Sequence, residues 1–156
     1  MQKREAEWIL KEKYQGVMTP EAVLDIAKLK QGEHVDYIIG FTEFLGCKID
    51  LSKRPMIPRP ETEYWVEKAI QELWKSRSAS VWCLDLFAGS GCIGIAVLGH
   101  IPFARVDFGE KEKKFADQIK INATLNRIDR KRYRVFQSDV FSKIPYKYDY
   151  IFANPP

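Results

Sequence analysis

Residues 84–94, which read LDLFAGSGCIG, constrain the fold of this chain more than any other stretch. A short apolar run at 81–86 leads into it, Gly89 and Gly91 interrupt it, and an apolar segment with helical spacing follows. This order predicts a strand, a glycine turn and a helix, an arrangement in which a ligand approaches the main chain and meets a helix N-terminus. The sequence therefore predicts a nucleotide-binding turn within an α/β fold.

Asp85 narrows the choice of nucleotide. The spacing of Gly89, Gly91 and Gly94 by itself also matches the dinucleotide-binding fingerprint. A carboxylate at the end of the strand would repel a pyrophosphate, whereas it would attract the ammonium group of S-adenosylmethionine. The alternative is an Asp that only caps the turn. We therefore predict S-adenosylmethionine as the cofactor, with Asp85, Gly89 and Gly91 among the residues that bind it.

Composition excludes several other classes of protein. The chain has 156 residues, 46% of them hydrophobic and 29% charged, which is ordinary for one soluble domain. Its net charge of +4 does not by itself require nucleic acid. Cys47, Cys83 and Cys92 are too widely spaced for a disulfide framework, and with His34 and His100 as the only imidazoles we expect no metal site. The charged N-terminus and short apolar runs predict neither a signal peptide nor a membrane anchor, hence a cytoplasmic protein.

The first third of the chain predicts helices followed by a hairpin. Helices are expected at 2–14 and, after the capping sequence Thr19-Pro20-Glu21, up to residue 30. They form an N-terminal helical segment, 1–33, that is too small to bury a core alone. A linker at 34–56 contains aromatic and β-branched residues with glycine breaks, which predict a β-hairpin over 37–51.

Residues 57–156 are predicted to form the main domain. A helix beginning near Thr62 carries an apolar stripe. Strands and helices then alternate, which predicts an α/β fold with a Rossmann-like parallel sheet of about four strands. The apolar stripe of the first helix consists of Trp65, Val66, Ala69, Ile70, Leu73 and Trp74. The strands are expected at 81–86, 104–108, 134–137 and 148–152. The other two helices are expected at 92–99 and 112–126, and the second of them is expected to bury Phe115, Ile119 and Ala123.

The predicted sheet has fewer strands than this type of fold normally contains. We therefore expect the sequence to be a fragment, truncated after Pro156. The last strand would then be an exposed apolar edge, which invites pairing with another chain. On this expectation the isolated chain is marginally stable, self-associates and is catalytically inactive.

Four polar residues follow the four predicted strands, at the sheet edge where such folds bind ligands. They are Asp85, Glu110, Asp139 and Asn154. Glu110 is placed to accept both hydroxyls of an adenosine ribose, and Asp139 to accept a hydrogen bond from the adenine amino group. The alternatives are a helix-capping neighbour for Glu110 and a simple turn residue for Asp139.

The chain ends in Asn154-Pro155-Pro156, which resembles the N-P-P-[YF] motif of methyltransferases that act on nitrogen conjugated to a π-system. The resemblance implies catalytic roles for Asn154 and Pro155. The Asn side-chain oxygen and the first proline carbonyl hold the N–H groups of the acceptor and orient its lone pair. The aromatic fourth residue of the motif is absent.

Residues 57–63, IPRPETE, resemble the I-P-R-P-[ED]-T-E signature of the release-factor glutamine methyltransferases, the HemK/PrmC family, and residues 37–44 resemble its Y-I-x-G-x-x-E-F hairpin. The resemblance implies a class I methyltransferase fold. It also implies methyl transfer from S-adenosylmethionine to the Gln amide in the Gly-Gly-Gln motif of peptide chain release factors. Arg59, Asn154, Pro155 and Pro156 would contact this protein substrate. The expected partner is the release factor, with no ribosome, nucleic acid or membrane required, and the full-length enzyme would be a monomer.

The sequence departs from the family pattern in three places. Phe87 stands where the first glycine of the turn is usual, in a form shared with guanine-N2 rRNA methyltransferases. His34 stands where a proline is expected before the hairpin motif. The helical N-terminal region has about 30 residues and is much shorter than that of the family. In the family, this region helps to dock the release factor.

Two alternative functions follow from the same residues. One is a nucleic-acid amino methyltransferase, which would transfer methyl to adenine or guanine rather than to protein. The other is a non-catalytic module that binds an adenosine ligand. A basic stretch at 127–134 is interpreted as a solvated loop, with contact to RNA or to an acidic partner as the alternative; its cations are Arg127, Arg130, Lys131, Arg132 and Arg134.

Overall fold

The structure is a computed structural model that describes residues 2–76 and 79–155. Pro156, one of the predicted substrate-binding residues, lies outside the described residues, as do residues 1, 77 and 78. Six helices and six strands are present in the described part. The helices are α1 Gln2–Tyr14, α2 Pro20–Lys30, α3 Val35–Ile39, α4 Pro60–Lys75, α5 Cys92–His100 and α6 Lys113–Leu125; the strands are β1 Phe41–Phe44, β2 Cys47–Asp50, β3 Val81–Leu86, β4 Ala104–Glu110, β5 Tyr133–Gln137 and β6 Tyr150–Ala153.

The predicted hairpin is shorter than expected, because residues 35–39 form helix α3 instead of a strand. The side chains of Val35, Ile38 and Ile39 have helical spacing and pack with Ile9 and Leu29 of the preceding helices. Gly40 ends α3 with a φ of 94°, and the hairpin β1–β2 begins directly after it. Local apolar burial against α1 and α2 therefore outweighs the β propensity of this segment.

The main sheet confirms the prediction of four parallel strands. Its order is β5-β4-β3-β6, with β6 at one edge. In the middle of the sheet Asp85 lies beside Phe108 of β4 and Phe152 of β6. Helices α5 and α6 contact both the sheet and strand β2, so the hairpin joins the same apolar core. All four strands point their carboxyl ends toward the same edge.

Helix α4 differs from its prediction in where it starts and in the exposure of one residue of its apolar stripe. It begins at Pro60, two residues before the expected start, because proline suits the first helical position. Trp74 was predicted to lie on the apolar stripe but is 51% exposed and packs edge-to-face on Phe103, with ring centroids 5.4 Å apart. Val66, Ile70 and Leu73 are buried as predicted.

Helix α6 buries amide side chains that the apolar pattern did not predict. Asn122 Oδ1 accepts a hydrogen bond of 2.8 Å from the Asp50 N–H, and Asn126 Oδ1 accepts one of 3.0 Å from the Lys48 N–H. Asn122 Nδ2 also donates to the Ser90 carbonyl at 2.8 Å. Side chains of α6 thus satisfy the outer backbone groups of β2, which no further strand pairs in the described chain, and tie the hairpin to the turn after β3.

We predict that Asn122→Ala lowers the free energy of unfolding by about 2–4 kcal/mol, because it leaves the Asp50 N–H and the Ser90 carbonyl without their partner. Asn122 is fully buried, so water does not replace the lost bonds. Thr124→Ala, an exposed change on the same helix, should cost less than about 0.5 kcal/mol. Urea titrations of the two variants test this, and equal losses would contradict it.

Candidate functional site

The turn between β3 and α5 has three residues in the left-handed backbone region. Gly89 has a φ of 55° and Gly91, which caps α5, has a φ of 78°. A Cβ on Gly91 would also lie 3.0 Å from Ile119 Cγ1, closer than side chains normally approach. Phe87, the third residue, has a φ of 60°. A left-handed conformation costs a non-glycine residue about 1–2 kcal/mol, so Phe87 occupies the usual glycine position under strain.

Asp85 lies beneath this turn. Its side chain is 0% exposed, and Oδ2 accepts a hydrogen bond of 2.9 Å from the Gly94 N–H in the first turn of α5. Oδ1 has no hydrogen-bond partner among residues 2–76 and 79–155. Burial, with a smaller contribution from the nearby Glu110 carboxylate, raises the pKa of Asp85 from 3.8 to about 8. Asp85 therefore holds the turn in place and is a buried carboxyl group with one uncompensated oxygen.

Glu110 joins the turn to the next helix. Its Oε2 accepts a hydrogen bond from the Gly89 N–H and its Oε1 accepts one from the Glu112 N–H, each 2.8 Å long. The side chain is buried at the carboxyl end of β4. A carboxylate has about four acceptor positions, so these two bonds leave capacity for ligand hydroxyl groups.

A cavity of about 480 Å³ opens beside Glu110. Its size falls within the range of small-molecule sites, and Gly89, Glu110 and Asp139, predicted to bind the cofactor, lie on its walls together with Asn154, predicted to bind the acceptor. Asp85 and Gly91 are not on those walls. The apolar part of the lining consists of Met56, Leu86, Phe87, Phe115 and Val140.

Asp139 lies on the rim of this cavity and is already paired. Its Oδ2 is 2.9 Å from Lys111 Nζ, and both side chains are largely exposed. Ser138, its buried neighbour, donates from its hydroxyl to the Val140 carbonyl at 2.9 Å and fixes the loop after β5. Asp139 is thus a weaker anchor for a ligand than Glu110, because solvent screens it.

Asn154 follows strand β6 and lines both the large cavity and a neighbouring one of about 60 Å³. Its Nδ2 donates to the hydroxyl of Thr62 at 3.4 Å, and Thr62 is buried in the first turn of α4. This bond leaves the Asn154 Oδ1 available as an acceptor. Arg59 lines the small cavity, whereas Pro155 is exposed and is not among the residues that line either cavity.

The Arg59–Glu63 segment connects three parts of the site. Pro60 starts α4, Thr62 holds Asn154, and Glu63 Oε1 accepts a hydrogen bond of 2.6 Å from the Leu45 N–H in the hairpin loop. Thr62 was not predicted as a site residue, although its position in the motif was a signal. The apolar cavity residues Met56, Phe115 and Val140 carried no comparable signal in the sequence.

The basic stretch 127–134 contributes mainly to the fold. Arg134 forms two hydrogen bonds to the Asp107 carboxylate, at 2.9 and 2.7 Å, and Arg132 donates to the Ile101 and Ala104 carbonyls. None of these residues lines the two cavities that contain Asn154. Within the described ranges, no group of His, Cys, Asp or Glu side chains is arranged to hold a metal ion. No helix there is both long and apolar enough to cross a membrane.

Comparison with known proteins relates this geometry to methyltransferases. A family model described as the methyltransferase small domain matches residues 69–156. The release factor glutamine methyltransferase of Fusobacterium nucleatum subsp. nucleatum is 35% identical over 136 residues, which cover 84% of this chain and 36% of that protein. The protein of the same name from Flavobacterium psychrophilum is 31% identical over 153 residues, which cover 90% of this chain and 53% of that protein. The chain thus spans about half the length, or less, of these relatives.

A solved structure, the putative methyltransferase yhhF from Escherichia coli, shares the fold. The TM-score is 0.55 at 24% sequence identity, and the match covers 75% of this chain and 66% of that one. The likeness confirms the predicted Rossmann-like fold of class I methyltransferases.

Titration of Asp85 should make stability depend on pH. The pKa of Asp85 is about 8 in the folded protein and 3.8 in the unfolded chain. Between these two pH values, the folded protein keeps the proton on Asp85, whereas the unfolded chain has released it. The stabilisation of the folded state by the proton on Asp85 is therefore fully present below about pH 4 and is lost as the pH rises toward 8. We predict that from pH 5 to pH 8 Asp85→Asn gains stability relative to the unchanged protein, by at most about 1.4 kcal/mol per pH unit.

Urea titrations at several pH values measure this difference. Asp117→Asn is the control, because the pKa of Asp117 is lowered by Lys113 and Lys120 and the group titrates below this range. A stability difference for Asp85→Asn that stays constant with pH would contradict the prediction.

Proposed function

Because the chain belongs to the methyltransferase small domain family, we propose that it binds S-adenosylmethionine and forms the transfer site of a release factor glutamine methyltransferase. The acceptor would be the side-chain amide of the Gln in the Gly-Gly-Gln motif. In this proposal residues 57–156 form the methyltransferase domain, 34–56 the hairpin linker and 1–33 the helical segment. The enzyme would act as a cytoplasmic monomer on the free release factor.

One observation carries the proposal. Asn154 stands on the wall shared by the 480 Å³ cavity and the smaller one, and Thr62 holds its Nδ2. An acceptor for amide N–H groups therefore lies where a cofactor in the large cavity would meet a substrate in the small one. The similarity to release factor glutamine methyltransferases supports glutamine as that substrate.

The residues around the large cavity fit an adenosine-containing cation. Glu110 has free acceptor positions for the ribose hydroxyls, and Asp139 for the adenine amino group. The apolar side chains of Phe115 and Val140 suit the faces of a purine. The turn at Gly89 lets the ligand approach the backbone, and a bound ammonium group would favour the ionised form of Asp85 beneath the turn. When bound, S-adenosylmethionine supplies an electrophilic methyl group.

The chain's own residues would prepare the acceptor by positioning it. The lone pair of an amide nitrogen is delocalised, so the nitrogen is a poor nucleophile. The Asn154 Oδ1 and the Pro155 carbonyl would accept its two N–H groups and orient it toward the methyl donor. Arg59 and Pro156 would contact the substrate beside this point.

We predict that Glu110→Ala weakens S-adenosylmethionine binding about tenfold to a hundredfold, because it removes a buried, charge-assisted contact. Asp139→Ala should weaken binding less than tenfold, since Asp139 is exposed and paired with Lys111. Calorimetry gives both affinities, and thermal unfolding checks that each variant is folded. The reverse order of effects would show that the cofactor is held elsewhere.

Asn154→Ala should leave cofactor affinity nearly unchanged but slow methyl transfer at least about a hundredfold, the usual effect of losing one stabilising group at a reacting centre. Thr62→Val should slow transfer less, roughly tenfold, because Asn154 is still present but is no longer held. Single-turnover rates and calorimetry separate these effects. Loss of activity that follows only from loss of cofactor binding would remove Asn154 from its assigned role.

The function itself is tested by incubating a full-length version of the protein with methyl-labelled S-adenosylmethionine, a peptide release factor and total RNA. Label on the Gly-Gly-Gln glutamine, located by mass spectrometry, is the expected result. Label on RNA would instead identify a nucleic-acid methyltransferase. Cofactor binding without any transfer would identify a binding module.

A further inference from the structure

A second cavity, of about 610 Å³, lies between the N-terminal helices, the hairpin and the segment before α4. Trp8 of α1, Asp36 of α3, Glu43 of β1 and Glu63 of α4 contribute to its walls. Its volume suffices for a large side chain together with part of a peptide backbone. Of the residues on its walls, only Arg59 has been assigned a contact with a ligand above.

Most of the charged side chains on the walls of this cavity, called the acidic cavity below, are carboxylates. Asp36, Glu43 and Glu63 line it together with one guanidinium group, that of Arg59, and with His34. Glu63 is engaged through Oε1 with the hairpin loop, whereas Glu43 is exposed. The acidic character is local, since the chain as a whole carries a net charge of +4.

Asp36 is the unusual member of this group. The residue is only 7% exposed, and its Oδ1 has no hydrogen-bond partner within the part of the chain that the structure describes. Its Oδ2 lies 3.5 Å from His34 Nδ1, but that nitrogen already accepts a bond from the Asp36 N–H. Burial raises the pKa of Asp36, a further sign that its charge is poorly compensated. A buried carboxylate of this kind costs stability unless a cation or donor meets it.

The acidic cavity adjoins the acceptor position. Residues 56–59 line both this cavity and the 60 Å³ cavity that contains Asn154. The two cavities therefore border the same segment, 56–59, with Asn154 on one and Asp36 on the other. A peptide whose glutamine lies at Asn154 and that passes along this segment would bring a nearby side chain to the acidic cavity, since each extended residue spans about 3.3–3.6 Å.

We propose that this cavity binds a basic side chain, arginine or lysine, of the polypeptide substrate, close in its sequence to the methylated glutamine. The proposal rests on the proposed function for the identity of the acceptor. Asp36 and Glu43 meet the positive charge, and the half-exposed ring of Trp8 offers a face for a cation. The chain thus selects its substrate by charge at a point separate from the reacting amide.

Binding of synthetic peptides tests the proposal without requiring turnover. The peptides contain Gly-Gly-Gln and a single Arg that is moved along the sequence; in matched peptides Lys or Met replaces that Arg. Affinities are measured by fluorescence anisotropy with the protein saturated with S-adenosylhomocysteine. We expect one Arg position to bind about tenfold to a hundredfold more tightly than its Met counterpart. The Lys peptide shows whether an ammonium group suffices.

Asp36→Asn should abolish the preference for the basic peptide while leaving S-adenosylmethionine affinity and the binding of the Met peptide unchanged. Glu43→Gln, a change at an exposed residue, should reduce the preference for the Arg peptide over the Met peptide. This second variant tests the proposal even if Asp36→Asn does not fold. Glu61→Gln is the matched control, since it removes the same charge from the exposed side of α4, outside the cavity lining.

The outcomes separate this proposal from the proposed function. Peptide binding that depends on Asp36 without methyl transfer would support the cavity and overturn the function. Methyl transfer with equal affinity for Arg and Met peptides at every position would overturn the cavity and leave the function intact. A preference reduced equally by Glu61→Gln would also overturn the cavity, because it would reflect only the overall charge.

Discussion

The two hydrogen bonds accepted by Glu110 hold the candidate site together. They fix the N–H of Gly89 in the turn after β3 and the N–H of Glu112 at the start of α6. Both helices on this side of the sheet are thereby held against one buried carboxylate. Asp85 adds a third tie, to the Gly94 N–H inside α5. The backbone can remain strained at Phe87 because these neighbouring contacts determine the path of the turn.

Side-chain hydrogen bonds also take the place of backbone pairing elsewhere in the molecule. The amides of Asn122 and Asn126 satisfy the outer edge of β2, and Thr62 and Glu63 link α4 to Asn154 and to the hairpin. The hairpin and the acceptor residue are therefore positioned through single side chains. Such links are specific, because each buried group that loses its partner retains its full desolvation cost.

Much of the fold could be predicted from the sequence because apolar periodicity and glycine or proline boundaries are local signals. The four parallel strands and the main helices follow from them. Helix α3 could not be predicted in this way, since Val35 and Ile39 favour strands until α1 and α2 provide a surface for burial. The burial of Asn122 could not be predicted either, because a polar residue in a helix normally faces water. For the site, strand ends grouped Glu110 and Asn154 correctly, but the cavity walls come from loops that are far apart in sequence.

The chain is basic overall, but its poorly compensated buried groups are acidic. The sequence pI is about 8.9, yet two buried carboxyl groups, on Asp85 beneath the turn and on Asp36 in the acidic cavity, each have an oxygen without a hydrogen-bond partner in the described structure. Arg132 and Arg134 are engaged at the opposite end of the sheet, where they cannot neutralise them. An unpaired buried carboxylate is destabilising, and a ligand cation that pairs with it removes part of that cost. The fold therefore leaves one buried carboxyl group without full compensation beneath the turn and another in the acidic cavity, where, on the proposals above, a cationic cofactor and a basic substrate residue would pair with them.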